Sequence, residues 1–139
     1  MKMKRKLFVL FLCVILSSCS AANKSASPNG DSGKSSYTHI SQDEAKKMME
    51  TDDGHVIVDV RRADEYASGH IPGAILIPNE TIGKEKPVEL SDLDQIILVY
   101  CRSGNRSSQA AKKLADLGYK NVYDFGGIMS WTGDVVKEP

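Results

Sequence analysis

Two short apolar runs, residues 55–60 (HVIVDV) and 96–100 (IILVY), constrain what this chain can fold into. Each is nearly continuous in aliphatic and β-branched character instead of alternating with polar residues, the pattern of a strand buried on both faces. Such a strand needs a covering layer on each side, and the segments between the runs read as helices. Ser41-Gln42-Asp43-Glu44 has the form of an N-cap with acidic residues in the first turn, opening a helix to about Glu50 that Asp52-Asp53-Gly54 breaks. Ala63–Ser68 forms a short helix stopped by Gly69. From Ser107 the pattern SSQAAKKLADLGY sets Ala110, Ala111, Leu114 and Leu117 on one helical face, with Gly118 as the stop. Residues 75–77 are a second short strand between Pro72-Gly73 and Pro78, residues 91–95 a single helical turn, and residues 121–125 a last strand. Gly126-Gly127 then leads into a short helix carrying Trp131. Strands alternating with helices predict an α/β fold with a parallel sheet flanked by helices on both faces.

The first 36 residues do not belong to that fold. Lys2, Lys4, Arg5 and Lys6 precede ten unbroken apolar residues, LFVLFLCVIL, at 7–16. Ten helical residues span about 15 Å, half of a ~30 Å hydrocarbon core, so the run is too short for an ordinary membrane-spanning helix. A basic tip, an apolar stretch and then small residues describe a secretory signal peptide over residues 1–18. Leu16-Ser17-Ser18-Cys19 resembles the bacterial lipobox, which implies cleavage before Cys19, lipidation of that cysteine and anchoring of the exported protein to a membrane. Residues 20–36, SAANKSASPNGDSGKSS, hold six serines and almost nothing apolar, too little to offset the entropy of ordering. Residues 19–36 therefore read as a lipidated cysteine and a tether reaching roughly 20–25 Å. Residues 37–139 are left as one domain.

This division reinterprets the charge and the cysteines. The whole chain carries 18 basic and 18 acidic residues, but removing the leader's four basic residues leaves 14 against 18, a net −4. A mildly acidic domain is not expected to partner nucleic acid. Of the three cysteines, Cys13 lies in the leader and Cys19 at the lipidation position, which leaves Cys101 with no intramolecular partner.

Cys101 closes the second apolar run and opens the loop Cys101-Arg102-Ser103-Gly104-Asn105-Arg106-Ser107. Open α/β sheets place ligand sites at the C-terminal ends of their strands. The backbone N–H groups of such a loop and of the following helical turn form an anion cradle, and Gly104 and Asn105 tolerate the positive φ a curled loop needs. The thiolate is the nucleophilic form of cysteine, and a helix N-terminus together with Arg102 and Arg106 favours an anion here. A cysteine-dependent phosphatase or arsenate reductase also sets a cysteine in an anion-binding loop, with a C-x5-R pattern. Six positions on from Cys101 stands Ser107, and Arg106 is one place early. No C-x-x-C pair points to thiol–disulfide redox work, and the spacing of His39, His55 and His70 does not suggest a metal site.

The loop CRSGNRS resembles the active-site loop of single-domain rhodanese-like proteins, the thiosulfate sulfurtransferase family. Asp59-Val60-Arg61, Glu65-Tyr66 and residues 69–74 (GHIPGA) are similar to the family's upstream signature, and Gly126-Gly127-Ile128 with Trp131 to its downstream element. The resemblance covers residues 37–136 and implies a five-stranded parallel sheet and persulfide chemistry at Cys101, with no cofactor. A small anionic donor such as thiosulfate gives a sulfur to the thiolate, and a thiophilic acceptor such as cyanide or a thiol removes it. Arg102 and Arg106 are candidates for attracting the donor, within a binding loop of Arg102, Ser103, Gly104, Asn105, Arg106 and Ser107. Asp59, Arg61 and Glu65 read as an ion-pair network bracing the site, His70 as fixing the Pro72-Gly73 turn, and Trp131 as core packing. The alternative is a non-catalytic sulfur-carrier or interaction module of the same fold.

Overall fold

The computed structural model describes residues 36–137, so the expected leader, Cys19 and the tether up to residue 35 lie outside the described residues. In chain order the elements are β1 (Thr38–His39), α1 (Gln42–Met49), β2 (Val56–Asp59), α2 (Ala63–Ser68), β3 (Ile75–Leu76), β4 (Ile96–Cys101), α3 (Asn105–Asp116), β5 (Asn121–Gly127) and a 3-10 turn, Ile128–Ser130. The five strands form one sheet in the order β1-β5-β4-β2-β3, every neighbouring pair parallel.

Successive side chains of a strand point to opposite faces, and both faces here are apolar. On one face Val58, Ile97, Val99, Cys101 and Val122 pack with Ala110, Ala111 and Leu114 of α3. On the other Ile57, Leu98, Tyr100 and Phe125 pack with Ala45 of α1, Ile71 and Ala74. The unbroken apolar character of β2 and β4 is thus two alternating sets, each with its own helix layer. The start of α1 is set by a capping box: the Ser41 Oγ accepts the Glu44 N–H (3.2 Å) and the Glu44 carboxylate accepts the Ser41 N–H (2.8 Å).

Local differences from the sequence reading have physical causes. Strand β1 is two exposed edge residues, too short to show any periodicity. Residues 91–95 form a turn, not a helical one, because the Asp92 carboxylate accepts the Asp94 N–H (2.8 Å), a local bond that competes with helix formation. Helix α3 starts at Asn105, two residues early, since Gly104 caps it from the left-handed region at φ +104°. Trp131 follows the 3-10 turn rather than lying in it; half-buried, it packs 5.7 Å from Phe125.

Tyr100, fully buried in β4, ties the sheet to the segment after α2: its hydroxyl oxygen accepts the buried Ile71 N–H (3.1 Å). Tyr100→Phe leaves that amide unpaired in the core. It is expected to lower stability by about 1–3 kcal/mol, read as a lower urea midpoint at unchanged slope; an unchanged midpoint contradicts the role given to this bond.

Candidate active site

The chain reverses between sheet and helix within residues 102–104. Cys101 at the end of β4 is 1% exposed. Its Sγ accepts the Gly104 N–H at 3.0 Å, and the thiol donates to the Ser107 hydroxyl oxygen at 3.6 Å. Ser107, fully buried in the first turn of α3, donates toward the Gly104 carbonyl (3.0 Å) and the Gly126 carbonyl (3.2 Å). When the sulfur is an anion it becomes a third acceptor for the single Ser107 proton, alongside the Gly104 N–H. The sulfur therefore sits at a helix N-terminus with a backbone donor and a hydroxyl within reach, an arrangement suited to an anionic sulfur species.

The end of β5 forms the other wall. Val99 pairs with Asp124 but Cys101 pairs with Gly127, so β5 carries one extra residue, a β-bulge. A Cβ on Gly127 would lie 2.3 Å from the Arg102 carbonyl oxygen and 2.6 Å from the Ser103 Cα, so only glycine lets the loop lie this close. The Met129 N–H donates to the same Arg102 carbonyl (3.2 Å). Arg102, Ser103 and Asn105 are exposed at the mouth.

Arg106 is held from α2. Its guanidinium makes two hydrogen bonds to Glu65, of 2.7 and 2.9 Å, with side-chain exposures of 26% and 17%. These bonds, together with the Arg62 N–H, hold the Glu65 carboxyl at a pKa of about 2 against the desolvation that opposes them. Arg106 thus faces the site already paired with a carboxylate, and α2 is coupled to the first turn of α3.

Asp59 and Arg61 do not join that pair. They form a separate buried ion pair with bonds of 2.6 to 3.0 Å, extended by Arg61 to the Gly69 carbonyl (2.7 Å) and over the Tyr100 ring at 5.7 Å. Asp59 pairs in register with Tyr100, which places it on the sheet face opposite Cys101. The single bracing network expected from the sequence is two separate ion pairs, because Asp59 points to the sheet face opposite Cys101 while Glu65 on α2 reaches Arg106 in the first turn of α3.

His70 also differs from its expected role. Its Nδ1–H donates to the Tyr66 carbonyl (3.0 Å), its ring stacks on Tyr66 at 3.8 Å, and its backbone bridges Val136. The Pro72-Gly73 turn is closed instead by the Ala74 N–H to the Ile71 carbonyl (3.0 Å) and by the Tyr66 hydroxyl to the Ala74 carbonyl (2.7 Å). Among the described residues no group of three His, Cys, Asp or Glu side chains could hold a metal ion. A cavity of about 440 Å³ lined by Met49, Ile57, Ile71, Pro72 and Trp131 lies under α1 and includes neither Cys101 nor its loop.

Sequence reasoning missed Asp124, a carboxylate 2% exposed on the same strand as the two glycines. Its signal was a charge set between the apolar residues Val122, Tyr123 and Phe125.

Folding lowers the Glu65 pKa from 4.5 to about 2. The stability the pair adds is therefore fully present above pH 4.5 and is lost as pH falls toward about 2. Glu65→Gln is expected to cost about 1–2 kcal/mol at neutral pH, a figure that allows for solvent screening of a partly exposed pair. Denaturation of both proteins across pH checks this: the gap between them narrows below pH 4.5, and a gap that stays constant contradicts the pair's contribution.

The Rhodanese-like domain family matches this chain over residues 41–134. A thiosulfate sulfurtransferase of Pseudomonas entomophila is 37% identical over 98 residues, covering 70% of this chain and 86% of that protein. A Bacillus subtilis protein named "Putative sulfur carrier protein" is 37% identical over 100 residues, 71% of this chain and 53% of its own length. This chain thus spans about half of that relative. The crystal structure of a rhodanese-like domain protein from Staphylococcus aureus superposes with a TM-score of 0.63 at 32% identity, covering 73% of this chain and 99% of that one. The sheet order, the cysteine at the end of β4 and these likenesses agree: the chain belongs to the rhodanese-like domain family.

Proposed function

We propose that this protein is a sulfurtransferase in which Cys101 carries the sulfur. The observation behind this reading is the setting of the Cys101 Sγ, 3.0 Å from the Gly104 N–H and 3.6 Å from the Ser107 hydroxyl at the start of α3. The thiolate attacks the outer sulfur of a donor such as thiosulfate. The donor's S–S bond breaks, its electron pair leaves with sulfite, and Cys101 holds a persulfide. An acceptor such as cyanide or a thiol then attacks the outer sulfur, and the electron pair of the broken bond returns to Cys101 as the thiolate. The Gly104 amide and the Ser107 hydroxyl oppose the negative charge on sulfur in both steps. Arg102, exposed at the mouth, draws in the anionic donor; Arg106, tied to Glu65, supplies a positive edge and holds α3 in place. The rest of the loop, Ser103, Gly104, Asn105 and Ser107, shapes the cradle. The His70 ring is occupied with Tyr66, so this scheme gives it no role as a general base.

The printed name of the Bacillus subtilis relative supports a second reading, a carrier that is loaded and then discharged only to a dedicated protein acceptor. Both readings share the persulfide and differ in turnover with small acceptors. A phosphatase or arsenate reductase has less behind it, since Arg106 is bonded to Glu65 instead of aiming at an oxyanion above the thiol. The leader, the lipobox-like Leu16-Ser17-Ser18-Cys19 and the serine-rich tether support export and lipid anchoring at Cys19, with the domain working outside the cytoplasm.

Steady-state thiosulfate:cyanide kinetics test the sulfurtransferase reading. The expected result is parallel double-reciprocal lines, as for a covalent two-step scheme, and turnover at background in Cys101→Ser. Turnover that survives Cys101→Ser contradicts the assignment, and loading without turnover favours the carrier. In cells, Cys19→Ser is expected to release the protein from the membrane pellet; a variant that stays in the pellet contradicts lipid anchoring.

A further inference from the structure

Asp124 is a buried carboxylate that the sulfur-transfer scheme above does not use. It lies on β5 beside Val99, on the same face of the sheet as Cys101, and is 2% exposed. One carboxylate oxygen accepts the Gly126 N–H at 3.0 Å; the other faces His39 Nδ1 of the edge strand β1 at 3.3 Å. A buried charge persists only where such bonds offset its lost hydration.

The amide it holds belongs to the bulge. Gly126 stands at φ +89°, a conformation that costs little for glycine but that nothing in a regular ladder would maintain. Its carbonyl is one of the acceptors for the Ser107 hydroxyl (3.2 Å), and the Ser107 oxygen is 3.6 Å from the Cys101 Sγ. The next residue, Gly127, lies against the backbone of Arg102 and Ser103 with no room for a Cβ. The position of this stretch therefore decides two things at the sulfur: which way the single Ser107 proton turns, and where the loop carrying the Gly104 amide sits.

From this chain of contacts we infer that Asp124 is a positioning residue for Cys101. Its carboxylate pins the Gly126 amide, the bulge sets the Gly126 carbonyl and the Gly127 surface, and these hold Ser107 and the loop in the geometry that stabilises an anionic sulfur. The required property is a hydrogen-bond acceptor at the Oδ1 position, not the charge. The inference deepens the sulfurtransferase reading and rests on it for the kinetic arm of its test.

Asp124→Ala and Asp124→Asn in the full chain separate the possibilities. Asparagine keeps an oxygen for the Gly126 N–H; alanine does not. In thiosulfate:cyanide kinetics, Asp124→Ala is expected to lower kcat about five- to tenfold with KM for thiosulfate changed less than about twofold, the size of one lost hydrogen bond acting on the reacting atom and not on donor binding. Asp124→Asn is expected to stay within about twofold of the parent in kcat. Alkylation of Cys101 by iodoacetamide, which needs no sulfur transfer, is expected to slow in Asp124→Ala and to recover in Asp124→Asn. If the parent fails to turn over, the sulfurtransferase reading fails while the alkylation series still judges Asp124. Parent-like kcat and alkylation in a folded Asp124→Ala overturn the inference. So does an Asp124→Asn that folds yet is as slow as alanine, or that fails where alanine succeeds. Should Asp124→Ala not fold, parent-like alkylation and kcat in Asp124→Asn support the acceptor role, and slow alkylation in it overturns that role.

Discussion

Strand β4 is clamped from both sides, and the rest of the site takes its position from that clamp. Ile97 and Val99 lie under α3 while Leu98 and Tyr100 lie on the α1 face, all four fully buried. Burying each such side chain contributes about 1.5–3 kcal/mol, and a close-packed interior resists displacement of any one of them. Cys101 is the next residue in the row, so its sulfur is placed by packing before any polar contact is made. A reactive atom at the end of a rigid strand can be met by a loop whose own shape is softer.

That loop is shaped from three directions. Gly104 turns the chain at φ +104° and aims its amide back at the sulfur. Gly127 on β5 lets the backbone of Arg102 and Ser103 approach where any side chain would collide. Glu65 reaches across from α2 to fix Arg106. The result concentrates hydrogen-bond donors around one sulfur while the Arg106 guanidinium is already partnered. Exposed Arg102 and the oriented backbone dipoles of the loop place positive potential at the mouth of the site.

The parts of this arrangement that local pattern encodes were legible in the sequence. The continuous apolar run of β4, the periodic face of Ala110, Ala111 and Leu114, and the glycine-containing loop between them are local signals, and they locate the thiol at a strand-to-helix turn. The likeness of the motifs to a known family then supplied the five-stranded sheet. What was not legible depends on contacts between distant residues. The Glu65–Arg106 pair joins positions 41 residues apart, and no spacing rule separates it from the Asp59–Arg61 pair. His70 turned out to stack on Tyr66 because a short helix brings the two rings together, which a turn motif alone does not reveal. Strand β1 was missed because two exposed residues carry no pattern. Asp124 was overlooked since its partners are a backbone amide in a bulge and an edge histidine.

The central claim is that Cys101 carries a transferable sulfur. Intact-mass measurement after incubation with thiosulfate and desalting tests it most directly. The account predicts a gain of one sulfur atom, mapped to the peptide containing Cys101 and removed by cyanide. No gain with thiosulfate, polysulfide or a mercaptopyruvate donor would contradict it.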